Sequence, residues 1–418
     1  MTRVVITGIG VVSPIGIGRE AFWRNLTAGR SGVGPITLFD ASTFAVRIGA
    51  EVKGFDSRAL AGDFPGAEAI RDRKVHLGLA AAKEALDDSG LCEQHTRGAL
   101  LHVGVGLEAF NLQDLTPFAG AEDLGGALAA SVLRQEGREP LQVPLDRTGR
   151  LLAGRYGFLA GRYTNCSACA AGTQVIGEAC QMLQEGAAEV ALSAATDSML
   201  NPLGLGGFSL LRVLSAENDS PRTACRPFDA TRTGTVLGEG AAALVLETLD
   251  HALARGREIY AEVLGYGSSM DAYAVSDPQP DGRGAVLSMR RALSQARLSP
   301  DQIDCVNAHA TGTPKNDAVE TAAIKEVLGS RAREIPVHAV KSMTGHMIAA
   351  SGAAEAAAAA LTIARRSVPP TINLQRPDPE CDLDYVRDGV REFSGRRVLS
   401  NSFGFGGQNA TLIFGRYE

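Results

Sequence analysis

Twice along this chain, apolar runs of strand length alternate with longer stretches of helical periodicity, and no proline-rich or low-complexity linker divides the two rounds. In the first round, strands are predicted over residues 4–13, 100–106, up to 164, 189–195 and 238–247. Helices are predicted over 18–26, over 72–88 with Leu77, Leu79, Ala81, Ala82 and Leu86 inward, and from Cys169 to a stop at Gly186. The second round begins near Tyr260, with strands over 261–266, 303–308 and 337–340 and helices over 286–296, 317–328 and 347–365. Strands separated by helices imply α/β layers with parallel pairing. Two such rounds in 418 residues fit two halves, 1–255 and 256–418, packed as one body. Residues 30–64 read as loop with short strands, and 110–155 as a surface excursion or subunit contact.

Chemistry gathers where predicted strands end. The run Thr164-Asn165-Cys166-Ser167-Ala168-Cys169-Ala170-Ala171-Gly172 passes from a strand into a helix through small residues. A thiol in that first turn feels the positive end of the helix dipole and unpaired amides, which favour the thiolate and suit a nucleophile. Two plainer readings stand beside it. A lone Cys usually fills core, and Cys166-Ser167-Ala168-Cys169 is also a C-x-x-C, open to a redox pair or half a zinc site. No second C-x-x-C or His cluster completes a metal site. Further on, Asn307-Ala308-His309-Ala310-Thr311-Gly312-Thr313-Pro314 and Lys341-Ser342-Met343-Thr344-Gly345-His346 each follow an apolar strand. The run Asn401-Ser402-Phe403-Gly404-Phe405-Gly406-Gly407-Gln408-Asn409 is a glycine-rich loop between two strands, able to bring backbone N–H groups to a substrate. A single His is usually a hydrogen-bonded core or surface residue. Cys169, His309, Lys341 and His346 all fall at the edge where α/β sheets place ligands.

Composition narrows the field. A net charge of −6 with no basic run excludes a nucleic-acid surface, and seven irregularly spaced cysteines suggest a reducing cytoplasm. The N-terminus shows no signal-peptide pattern, and the alanine-rich stretch 348–364 is broken by Ser351, Glu355 and Thr362, so it reads as a buried helix rather than a bilayer span. The early Gly8-Ile9-Gly10 imitates a dinucleotide turn, but Ser13 and Pro14 stand where a third glycine and a helix should come.

These motifs, in this order and across nearly the whole chain, resemble the elongating Cys-His-His class of β-ketoacyl-acyl carrier protein synthases of the thiolase superfamily. The resemblance implies a thiolase-like α/β fold, two pseudo-symmetric βαβαβαββ halves forming a five-layered αβαβα body. It implies a decarboxylative condensation in fatty acid or polyketide elongation, with no external cofactor and no metal. Cys169 would carry the acyl chain, His309 and His346 would hold the malonyl carbonyl, and Lys341 would orient them with Glu355 as its ion partner. The amides of Cys169 and Phe405 would form the oxyanion hole, Phe405 would gate the site with Phe403 and Gly404 beside it, and Thr311 and Thr313 would bind the pantetheine arm. Asn409 and Asp271 would support the loop, and Leu107 and Glu108 would line the acyl pocket. The implied partners are acyl carrier protein and a second subunit, either identical or a chain-length-factor-like homologue, as in type II polyketide systems. A thiolase would carry a second catalytic Cys in the loop where Phe403 and Phe405 stand, and starter-unit enzymes have Asn in place of His346.

The chain departs from that pattern in four places. The common Arg-Asp-Gly-Phe reads Arg232-Thr233-Gly234-Thr235, and the tunnel turn reads Gly104-Val105-Gly106-Leu107-Glu108 with a carboxylate where a small residue is preferred. Residues 144–150 are shorter and more charged than the usual dimer contact, and Ala272-Tyr273-Ala274 lacks a common His. Neutral drift at rims and loops is one account of these departures; the other, suggested by the altered pocket and interface together, is a specialised pathway.

Overall fold

Ten strands of the computed structural model, which describes residues 2–60, 62–106, 120–133 and 144–418, join in one path of hydrogen-bonded neighbours. In the N-terminal half these are β1 (Val4–Ser13), β2 (Leu100–Val105), β3 (Gly161–Asn165), β4 (Val190–Ser198) and β5 (Glu239–Thr248). The helices among them are α1 (Arg73–Ser89), α2 (Arg147–Tyr156) and α3 (Ala171–Gln184). The C-terminal half has β6 (Ala261–Met270), α4 (Arg283–Ala296), β7 (Cys305–Asn307), α5 (Pro314–Leu328), β8 (Val337–His338), α6 (Ala349–Arg365), β9 (Arg397–Gly404) and β10 (Gln408–Gly415). The sheet runs β8-β7-β9-β10-β6-β1-β5-β4-β2-β3. Counted within its own half, each set of strands has the same spatial order, third, second, fourth, fifth, first. The chain is a structural duplication.

Pairing is mixed: the parallel pairing expected of strands separated by helices is present in each half, and the remaining pairs are antiparallel. β2 lies parallel to β3 and β4, and β7 parallel to β8 and β9, because a helix carries the chain back between strands. The last two strands of each half pair antiparallel: β9 turns straight into β10, whereas β4 reaches β5 through residues 199–238, which include the short helices Pro202–Leu210 and Pro221–Ala224. The halves meet where β1 pairs with β6, through Val5↔Glu262 and Ile6↔Ala261.

Helices fill three layers around the two halves of the sheet. α1 packs on β1, β4 and β5, and α4 packs on β6 and β10 on the far side. Between them lie α3 and α6, which contact strands of both halves and each other. α6 is buried from Ala349 to Ile363, as its composition predicts. Small residues let the two central helices nearly touch. A Cβ at Gly172 would stand 2.5 Å from the Ala349 carbonyl oxygen, and one at Gly352 would stand 2.8 Å from the Thr173 nitrogen. Filling either contact would overpack the centre, at about 1–3 kcal/mol. No helix among the described residues is long and apolar enough to cross a membrane.

Candidate active site

Cys169 lies in the short helical turn Ala168–Ala170 that feeds the N-terminus of α3, with Ala168 at a left-handed φ of 49°. The turn presses against β9, where a Cβ on Gly404 would be a tight fit at 3.2 Å from the Cys169 nitrogen. The thiol is 2% exposed. Burial pushes it up to about 11, against the N–H groups of Phe405 and of Cys169 itself and the charge of Lys341, which pull it down. This corrects the thiolate expected from helix position alone: desolvation outweighs the dipole.

Two imidazoles approach from the C-terminal half. His346 follows the turn Lys341–Thr344 and is clamped against residues 236–238, its N–H donating to Val236 O (2.7 Å) and its O accepting from Gly238 N–H (2.8 Å). Its Nδ1 accepts the backbone N–H of Ile348 (3.2 Å), and a backbone N–H can only donate. The proton therefore sits on Nε2, which lies 3.1 Å from Cys169 Sγ. His309 leaves the end of β7 and meets Lys341 Nζ at its Nδ1 (3.1 Å) and at its carbonyl oxygen (2.7 Å). The ammonium likewise only donates, so His309 also carries its proton on Nε2. The rings stand edge to face, 5.4 Å apart at 84°. Burial first, then the charge of Lys341, holds both well below the ordinary value of 6.5, so both are neutral at pH 7.

Lys341 is fully buried and ion-paired with Glu355 of α6. Burial pushes the Glu355 carboxyl up to about 7 despite that partner. Glu320 of α5 accepts the N–H groups of His309 and Ala310, both at 2.8 Å, and the Asn401 amide at 3.2 Å. It holds Ala310 at φ 46° and so fixes where the His309 ring starts. Asp317, one turn earlier, accepts from Phe228 and Gly312 N–H. Sequence reading missed both acids and Ser351, whose Oγ lies 3.1 Å from His346 Nδ1. The available signal was two carboxylates three apart on the apolar face of α5, beside Ala323 and Ile324.

One cavity of about 410 Å³ collects Cys169, His309, His346, Phe403 and Phe405 together with Thr311 and Thr313. Phe403 packs against His309 (5.9 Å) and Phe405 leans on Phe208 (6.1 Å). The two threonine hydroxyls lie 2.9 Å apart. Behind the glycine loop, Asn409 Nδ2 donates to Asp271 (2.7 Å) and to Gly407 O (3.1 Å), while Asp271 N–H also donates to Gly407 O (2.9 Å). Gly406 turns there with φ 78°. Leu107 and Glu108 fall outside the described residues. Cys166 does not share the site chemistry of Cys169: its thiol donates to Gly106 O at 2.8 Å. Among the described residues, no group of three or more His, Cys, Asp or Glu is placed to hold a metal ion.

An uncharged thiol–imidazole pair makes a titration test. Alkylation of Cys169 by iodoacetamide, followed by peptide mapping, is expected to rise about tenfold per pH unit from pH 7 toward 10, because only the thiolate reacts. A rate already at its plateau below pH 7 would instead mean a thiolate–imidazolium pair.

A buried thiol at a helix start and two proton-bearing imidazoles, on the two halves of a duplicated α/β body, define a thiolase-fold condensing acyltransferase. Residues 1–252 match the family model for the beta-ketoacyl synthase N-terminal domain, and 260–375 match that for the C-terminal domain. The chain belongs to the beta-ketoacyl synthase family. It is 42% identical to a 3-oxoacyl-[acyl-carrier-protein] synthase 2 of Synechocystis sp., with 100% of this chain and 98% of that protein covered. Among solved structures, it resembles the ishigamide ketosynthase/chain length factor at 35% identity and a TM-score of 0.86, with both chains fully covered. It also resembles a type II PKS acyl-carrier protein complex with its ketosynthase, at 31% identity and a TM-score of 0.84, again over both chains.

Proposed function

We propose that the protein is a 3-oxoacyl-acyl carrier protein synthase that extends a Cys169-bound acyl chain by decarboxylative condensation with malonyl carrier protein. The reading is carried by one observation: the Cys169 thiol and the two Nε2–H groups meet in a single cavity. In the first half-reaction, Cys169 Sγ attacks the acyl thioester carbonyl and expels the carrier thiol, which takes the Cys169 proton. The malonyl thioester then enters along Thr311 and Thr313, with its carbonyl oxygen between His309 and His346. Breaking the bond to the carboxylate releases carbon dioxide and leaves an electron pair in the enolate, whose oxygen the two neutral imidazoles hold. The enolate carbon attacks the Cys169 thioester, whose oxygen turns toward the amides of Cys169 and Phe405. Collapse yields the β-ketoacyl carrier thioester and the Cys169 thiolate, which takes one proton from solvent by way of His346. Decarboxylation drives the bond formation, so no cofactor is needed. Lys341 and Glu355 keep His309 in its tautomer, and Asp271 with Asn409 supports the loop bearing Phe405.

The substrates arrive on acyl carrier protein, and the working unit is a cytoplasmic dimer with an identical or a chain-length-factor-like subunit. The likeness to a carrier-bound ketosynthase and to a ketosynthase/chain length factor supports the carrier and the second subunit. Intact-protein mass spectrometry after mixing with a panel of acyl carrier thioesters is expected to show one acyl adduct on Cys169. Malonyl carrier protein should then remove it as β-ketoacyl product forms. No adduct from any acyl group, alone or with a chain-length-factor homologue, would overturn the reading.

A further inference from the structure

Thr235 is part of the cavity wall that holds Cys169, His309 and His346, and it is 3% exposed. Its backbone is fully used: its N–H donates to Val213 O and its O accepts from Ser215 N–H, both at 2.8 Å. Its hydroxyl has no hydrogen-bond partner among the described residues. The other threonine of this segment differs, since Thr233 Oγ1 lies 2.8 Å from Ser215 Oγ. The segment also has a defined place. The next residue, Val236, accepts the N–H of His346, and the Gly234 carbonyl oxygen lies 3.2 Å from where a Cβ on Gly312 would stand. Thr235 is thus strung between the segment paired with His346 and the turn bearing Thr311 and Thr313.

A buried hydroxyl without a partner lowers stability, and valine would fill the same space without that cost. Such a group makes sense if its acceptor arrives with the substrate. On the reaction proposed above, which this inference rests on, two of the acceptors are accounted for. The acyl thioester oxygen goes to the two amides, and the extender carbonyl oxygen goes to the two Nε2–H groups. The extender carboxylate is left. We propose that Thr235 is a specificity-determining residue whose hydroxyl, by rotation about its Cα–Cβ bond, donates to the carboxylate of the malonyl thioester. The bond exists only before carbon dioxide leaves, so it binds the ground state and contributes nothing in the transition state that follows.

The test compares Thr235→Val, Thr235→Ser and the parent protein in steady-state condensation, Cys169 loading and thermal melting. Thr235→Val is expected to raise KM for malonyl carrier protein about tenfold, the weight of a hydrogen bond to a charged group. Its kcat should be unchanged or higher, its acyl loading of Cys169 unchanged, and its Tm raised. Thr235→Ser, which keeps the hydroxyl, should restore the parent KM. A parent-like KM in Thr235→Val overturns the assignment, and so does a Thr235→Ser protein as impaired as the valine variant, which would make shape the cause. If valine blocks folding, the serine variant is compared with Thr235→Ala, and equal KM values for those two overturn it. Failure of the parent protein to condense malonyl carrier protein at all would count against the proposed reaction, not against Thr235.

Discussion

The His309→Ala protein is expected to load Cys169 at the parent rate and to condense the loaded chain about a hundred- to a thousandfold more slowly. The two half-reactions separate because of where the rings stand. His346 Nε2 touches Cys169 Sγ at 3.1 Å, while His309 makes its side-chain contacts with Lys341, Phe403 and His346. Removing His309 therefore takes one of two donors from the enolate oxygen and leaves the thiol's surroundings in place. The companion His346→Ala protein should be slowed in both steps. Pre-steady-state loading read by mass spectrometry, set beside the rate of carbon dioxide release, gives the comparison. Equal losses in loading and condensation for His309→Ala would show that the two imidazoles act as one unit on the thiol.

The second large effect lies behind the site. Lys341→Met should destabilise the fold by about 3–5 kcal/mol at pH 8, because it leaves the Glu355 carboxylate buried with no counterion. The Lys341→Met/Glu355→Gln double variant should recover most of that loss while condensation stays low, since nothing then donates to His309 Nδ1 from that side. The sign of the pH effect follows from the carboxyl. Burial raises Glu355 in the folded state above its unfolded value, and losing the lysine raises it further. A raised group supports the fold below its unfolded pKa and loses that support as pH rises through the folded one. The deficit of the single variant should therefore shrink between pH 8 and pH 5.5. Urea unfolding at both values measures it, and a deficit independent of pH would point to lost packing rather than an unpaired charge.

What the sequence made legible is what depends on period and on strand ends. The alternation of apolar runs with helical stretches marks nearly every element, and Cys169, His309, Lys341 and His346 each follow a strand on one edge. Pairing direction was legible only in part: strands expected to be parallel are so, but the antiparallel pairs of β9 with β10 and of β4 with β5 leave no periodic mark, since β9 turns straight into β10 while β4 reaches β5 by a long connection. The titration of Cys169 was misread for a related reason: the helix dipole is visible in a sequence, but burial comes from what packs around the thiol, including Phe405, more than two hundred residues away. Glu320 and Asp317 escaped notice because a carboxylate on a helix ordinarily faces water. Most of their partners are backbone N–H groups, which carry no side-chain signature, and among the side chains that join them Asn401 and Arg232 lie far away in the sequence.

The junction of β1 with β6 has a consequence for how such a protein comes into being. The nucleophile belongs to the half made first, while both imidazoles, the lysine and the loop over the thiol belong to the half made second. During synthesis, Cys169 exists for a time as an ordinary cysteine on an unfinished surface, with neither its imidazole neighbour nor the cover that keeps water from it. Docking of the late half therefore does two things in one event, sealing the core and switching on the chemistry, so a half-made chain has no means of consuming its substrates.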